Sequence, residues 1–184
     1  MALTAETLFV NPDYLRRITS LNGSVDESFI VPAVIVAQDK VLQAYLGTDL
    51  MNKLKAEAAS SSPDAVYINL LDNYVRKVVA WWTMCELMPT LYVKINNGSL
   101  AIRTAENTTS ITADDLHREI ERARDNAEFY TERLVKHLMN NSQLYPEYTT
   151  NSGGDMLPQT ETYNQNGMTI SGRSDTELKR YLFS

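Results

Sequence analysis

Apolar residues recur at helical spacing most clearly between Val66 and Met88, in VYINLLDNYVRKVVAWWTMCELM. Leu70, Leu71, Tyr74, Val78, Trp81, Trp82 and Cys85 stand three and four apart, and no charge falls between Val78 and Cys85. A helix apolar nearly all round must be covered on most sides by others, so this stretch is expected to be the central helix of a small bundle. Its uncharged run is far shorter than the roughly 18–20 residues that cross a bilayer. Pro89 is expected to stop it.

Shorter helices are predicted before it. Asn11-Pro12 reads as an N-cap followed by proline at the first helical position, giving a short helix over Asp13–Ile18. Asn22-Gly23 is a turn, and Ser24 or Asp26 can cap the next helix. That helix should hold Pro32 in its first turn and run to about Tyr45. Ile35, Val36, Leu42, Tyr45 and Leu46 form its apolar face, and Gly47 closes it. Thr48 or Asp49 then caps a helix through about Ala59, with Leu50, Met51 and Leu54 inward. Ser60 to Pro63 is a loop, and Asp64 opens the central helix.

After Pro89 the pattern alternates around Asn97-Gly98. This fits a small β-hairpin, Leu91–Ile95 with Leu100–Thr104, and equally an extended arm without a strand partner. The last helix is the plainest. Thr112 caps it, with Asp115 in the capping-box position. Leu116, Ile120, Ala123, Ala127, Tyr130, Leu134 and Leu138 make one stripe, and Asn140-Asn141 ends it. Asp114 and Asp115 at its start and Lys136 and His137 near its end suit the helix dipole.

From Ser142 onward regular spacing is lost, and polar runs such as TETYNQNG appear. Tyr145, Tyr148, Tyr163, Met168, Ile170, Tyr181, Leu182 and Phe183 are many large apolar groups for an idle tail. They suggest an arm ordered by docking, with Met168–Ser171 adding a strand to a neighbour; a disordered tail is the plainer alternative. The expected architecture is therefore all-α: about four to five helices with a long central and a long C-terminal helix. Residues 1–141 form a helical domain, with a small β-hairpin insertion, and residues 142–184 an extended C-terminal arm.

Composition sharpens this modestly. The 184 residues carry a net charge of −6, and 43% are hydrophobic, enough for a core. A pI near 4.9 argues against a surface that neutralises nucleic-acid phosphates. The single cysteine, Cys85, excludes an internal disulfide framework, fits a reducing compartment and reads as a buried, inert thiol. The N-terminus lacks the layout of a signal peptide, so synthesis in the cytosol and no membrane are expected.

Candidate chemistry is thin. His117 and Glu121 lie at i and i+4, but neither histidine follows a glutamate at di-metal spacing; a solvated charged face is the simpler reading. No phosphate loop, serine elbow or Cys/His nucleophile pair is present. The helices flanking LGTD mimic a helix-turn-helix, yet the second offers only Asn52, Lys53 and Lys55 against Asp49 and Glu57, and a packing hairpin fits better. Arg16-Arg17, Arg76-Lys77 and Arg118, Arg122 and Arg124 are the basic spots. Adjacent on one helix, Trp81 and Trp82 point about 100° apart, so one can fill the core while the other meets a neighbouring chain.

Three stretches carry a family resemblance: PDYLRRITSLNGSVDESFIVPAVIVAQDKVLQAYLGTDLMNKL, YINLLDNYVRKVVAWWTMCELMP, and DDLHREIERARDNAEFYTERLVKHLMNN with YPEY. Over roughly Asn11 to Tyr148 the chain resembles the head–tail connector (adaptor, or head-completion ring) proteins of tailed bacteriophages, in particular the crAss-like phage type. Ala37–Leu50, the tryptophan helix ending at Pro89 and Ala127–Leu134 are its most specific pieces. The resemblance implies a non-enzymatic structural virion protein, made in the bacterial host cytoplasm and without cofactor or metal. Such proteins form a ring, commonly a dodecamer, beneath the portal at the head–tail junction. The ring extends the DNA channel, passes DNA without sequence-specific binding, and gives the next tail or ring protein its platform. The subunit and portal interface is then expected at Trp81, Trp82, Tyr145, Tyr148, Tyr163, Met168, Ile170, Tyr181 and Phe183. The alternative is a helical DNA-packaging or DNA-binding subunit resembling a small terminase.

Overall fold

Two long helical rods lie against each other at the centre of the protein. The computed structural model describes residues 6–96, 99–102, 112–150 and 155–160. Among the described residues the fold is all-α apart from one β-ribbon. In chain order the elements are α1 (Pro12–Ile18), α2 (Glu27–Val36), a π-helical turn (Ala37–Leu42), α3 (Gln43–Leu46), α4 (Thr48–Ala59), α5 (Ala65–Leu70), a second π turn (Leu71–Val75), α6 (Arg76–Tyr92), β1 (Val93–Asn96), β2 (Ser99–Ile102), α7 (Ala113–Asn140), a 3-10 turn (Ser142–Leu144) and α8 (Pro146–Thr150).

Local signals set most starts. The side chains of Asn11, Asp26 and Asp64 accept the N–H groups of Tyr14, Ser28 and Val66, capping α1, α2 and α5. Thr112 accepts the Asp115 N–H, and its hydroxyl donates back to the Asp115 carboxylate. A helix end has orphan donors, and these side chains satisfy one each.

Three expectations need correction. Helix α6 continues through Pro89 to Tyr92, because proline removes one N–H and the Thr90 hydroxyl donates to the Glu86 carbonyl one turn back. Pro32 is the sixth residue of α2, since Asp26 starts that helix early. The wide turn over Ala37–Leu42 rotates the apolar face, so Val36 is exposed and Ala37 and Gln38 turn inward.

The core gathers around α6. Leu70, Val75, Val78, Val79, Ala80 and Leu87 meet Ile30, Val34, Leu42 and Leu46 on one side and Ala123, Leu134 and Leu138 on the other. Helices α6 and α7 run antiparallel, with Trp82 meeting Thr131 and Tyr74 meeting His137. The stretch Glu27–Leu46 is long and apolar enough to cross a bilayer, but here Ile30, Val34, Leu42 and Leu46 face the core. The first turns of α7, residues 113–122, bury no side chain.

The β-ribbon pairs Val93 with Ile102 and Asn96 with Ser99 in antiparallel register; its outer ends lie two residues inward of the expected bounds and its inner ends one residue beyond them. The Asn97-Gly98 turn and Thr104 fall outside the described residues.

The N-terminal segment is inserted into the body. The Phe9 N–H donates to the Gln38 amide oxygen at 2.8 Å, and the Gln38 amide nitrogen donates to the Thr7 carbonyl at 3.2 Å. Arg76 Nε donates to the Phe9 carbonyl at 3.0 Å. Gln38 is fully buried and pairs with this backbone as a neighbouring strand would. Phe9 and Val10 are buried with it.

Candidate assembly site

The expected cap of α4, Thr48 or Asp49, is not what the helix uses. Gly47 occupies the N-cap position at φ +76°, and no side-chain cap bond forms. The first donor there, the Thr48 N–H, is met by a segment more than a hundred residues away. The Thr48 N–H donates to the Met156 carbonyl at 3.0 Å, and the Met156 N–H donates to Thr48 Oγ1 at 3.2 Å. Thr48 Oγ1 donates to Asp155 Oδ2 at 2.7 Å, and Gln43 Nε2 reaches the same oxygen at 3.3 Å. The Gln159 N–H donates to the Ala44 carbonyl at 2.9 Å. A carboxylate beside the N-terminus of α4 also suits the helix dipole.

Gly47 serves this contact twice. Its positive φ disfavours side-chain-bearing residues. A Cβ there would also lie 2.8 Å from the Pro158 ring. Residues 155–160 thus form a strap across the α3–α4 turn.

Next to it lies an aromatic column. Tyr74 stacks on His137 with centroids 4.1 Å apart, and His137 Nε2 lies 3.2 Å from Tyr145 Oη. Tyr145 meets the edge of Tyr67, whose hydroxyl donates to Glu147 at 2.8 Å. Lys53 stands 5.0 Å over the Tyr67 ring and Arg133 5.2 Å over Tyr74. Burial, assisted by the Arg133 charge, holds the His137 pKa below its ordinary value. Burial and the Glu147 carboxylate push the Tyr67 hydroxyl well above the usual tyrosine range.

The column corrects the expected arm. Tyr145 and Tyr148, anticipated as contacts to other chains, are core residues of their own chain, 1% and 6% exposed. The turn at Ser142–Leu144 reverses the chain directly after α7 and drops Tyr145 between α5 and α7, so the helical body runs on to Thr150 rather than ending at residue 141. Tyr163, Met168, Ile170, Tyr181 and Phe183, with the strand expected at 168–171, lie outside the described residues.

Both tryptophans are half-buried against the core. Trp82 faces α7, its indole N–H donating to Thr131 Oγ1 at 3.0 Å. Trp81 points elsewhere, and its buried indole N–H has no acceptor among the described residues.

The remaining candidates resolve simply. His117 lies 4.0 Å from Glu121 on an exposed face, and the described residues contain no cluster of three metal-ligating side chains. Desolvation pushes the Cys85 thiol up to about 11, which suits packing rather than nucleophilic attack. Several basic groups are engaged within the chain. Arg16 pairs with Asp13 and Glu27, Arg76 with Asp72, Arg118 with Asp115 and Arg124 with Glu121. On α4, Lys53 pairs with Glu57, and Lys55 lies near Glu6 and Asp39.

Sequence reasoning missed Gln43, Thr48, Asp155 and Pro158 as one unit. The visible signals were Gly47 before a threonine and an Asp-Met-x-Pro run within a polar tail, but nothing local joins them. It also missed exposed apolar groups: Phe129, Met139, Leu144 and Leu157 are 60%, 54%, 52% and 64% exposed.

The fold and site define an all-α bundle whose two described end segments are held on its surface and in its core by side chains of the helical body. A family described only as one of unknown function, DUF6712, matches residues 42–156, and the chain belongs to that family. The matched region contains both the α3–α4 turn and the first two residues of the strap. No curated protein and no solved structure matches the chain.

Proposed function

We propose that this protein is a structural virion subunit that forms a ring beneath the portal of a tailed phage. In this role it joins the DNA-filled head to the tail and extends the DNA channel. The observation that carries the reading is the set of large apolar side chains left in water. Met139 and Leu144 flank the turn that ends α7, Phe129 lies further along the same helix, and Leu157 crowns the strap. Contacts between copies would remove that surface from water. Trp81, half-buried, supplies a further aromatic group for such a contact. The helix order resembling phage connectors over residues 11–148 supports the same reading. The role needs neither catalysis nor a cofactor; its partners are further copies, the portal and the next tail or ring protein.

Light scattering tests it, on the purified protein alone and after mixing with a portal from the same source. A monomer that joins a portal-bound ring, with protease protection gained over residues 151–184, is the expected result. A protein that ignores the portal and shifts nonspecific duplex DNA in a gel overturns the reading in favour of a DNA-packaging subunit.

A further inference from the structure

We propose that the α3–α4 turn is a recognition site for an extended peptide, and that residues 155–160 of a second copy of this chain can occupy it. The site selects its ligand by three kinds of contact. Thr48 and Met156 exchange backbone groups as paired strands do, and Ala44 accepts from Gln159 one turn away. Thr48 Oγ1 and Gln43 Nε2 converge on the Asp155 carboxylate. The bare Cα of Gly47 admits the Pro158 ring, which any side chain at 47 would displace. An acidic residue three places before a proline, in extended conformation, is the ligand these groups read.

The occupant is held without being buried. Every described residue of the strap is at least partly exposed, whereas the N-terminal segment sinks Phe9 and Val10 into the core. The strap therefore leaves its seat without opening the apolar interior. Only four residues of sequence, 151–154, separate it from α8. Because strap and seat belong to one chain, their encounter is intramolecular, and a lone chain fills its own seat. A neighbouring copy held close by other contacts presents a chemically identical seat, and exchange then replaces each hydrogen bond with its equal. The inference deepens the ring reading and rests on it for the setting in which copies stand side by side; the peptide chemistry of the turn does not depend on it.

Two full-length variants test this. Asp155→Lys with Met156→Pro disables the strap, and Gln43→Ala with Thr48→Val disables the seat while leaving the Gly47 turn in place; circular dichroism checks that both keep their helices. The probe is a fluorescent synthetic peptide of residues 155–160. The strap-disabled chain should bind it at least tenfold tighter than the unaltered chain, whose seat is filled, and adding Thr48→Val should weaken that binding about tenfold. Mixing the two variants at high concentration should yield a heterodimer by light scattering that neither forms alone. Equal binding to both chains, or none, overturns the recognition site. Peptide binding without a heterodimer overturns the second copy as occupant. A heterodimer from a protein whose unaltered form never joins a portal upholds the exchange and removes the ring reading instead.

Discussion

The two described end segments of the chain differ in how they are held. Each lies extended on the helical body and is fixed by hydrogen bonds from polar side chains, Gln38 and Arg76 at one end, Thr48 and Gln43 at the other. Only the first carries large apolar side chains into the core. Hydrogen bonds exchanged with water contribute about 1 kcal/mol each, whereas removing a large apolar group from water contributes about 2 kcal/mol or more. The N-terminal segment is therefore part of the fold. The strap is an addition that can be removed.

The largest effect that sharpens this contrast is Phe9→Ala. Truncating a buried aromatic side chain should cost about 3–5 kcal/mol, read as a fall in the urea midpoint. A loss below about 1 kcal/mol would place the N-terminal segment with the strap and erase the distinction. Gln38→Leu should cost about 2 kcal/mol, because it leaves the Phe9 N–H and the Thr7 carbonyl unpaired beside the core. Restoring an amide with Gln38→Asn should recover little, since the shorter side chain cannot span both groups.

Acid should loosen the aromatic column that joins α7 to the turn before the strap. With the Asn141 amide nitrogen toward His137 Nδ1, the neutral ring donates from Nε2 to Tyr145, and no carboxylate is among the causes acting on its pKa. The folded pKa of His137 lies below the unfolded value of about 6.5, so the unfolded chain takes up the proton first. The stability contributed by neutral His137 is full above that value and is lost as pH falls through it towards the folded pKa. Asp26 and Glu57, whose pKa values are lowered by hydrogen bonds, also lose their contribution as pH falls, but in a lower range that starts at the usual carboxylate values. Denaturation midpoints at pH 7 and pH 5 should therefore differ, and His137→Gln should flatten the difference.

Thr48→Val should have the smallest global effect, about 1 kcal/mol or less, while amide exchange at Met156 and Gln159 rises sharply. Unfolding of the whole body by this substitution would show that the strap is structural after all.

Much of the helical layout was legible because its causes are local. Asn11, Asp26, Asp64 and Thr112 announce helix starts through side chains that reach a backbone donor two or three residues on. The stripe on α7 and the uncharged run of α6 place both against the core. Pro89 misled because one lost hydrogen bond does not end a helix packed on its neighbours. The arm misled because Tyr145 and Tyr148 follow a long polar-faced helix, and nothing near them says that the chain turns back at Ser142.

What the sequence determined by itself was the all-α class, the order of the helices and the apolar stripes of α4 and α7, since periodicity and capping depend on residues within a few places of one another. Only the tertiary structure decided which polar groups meet across the chain: Gln38 with Thr7 and Phe9, and Thr48 with Asp155 and Met156. Such pairs arise because a folded interior demands a partner for every buried donor and acceptor, and the partner is supplied by proximity in space.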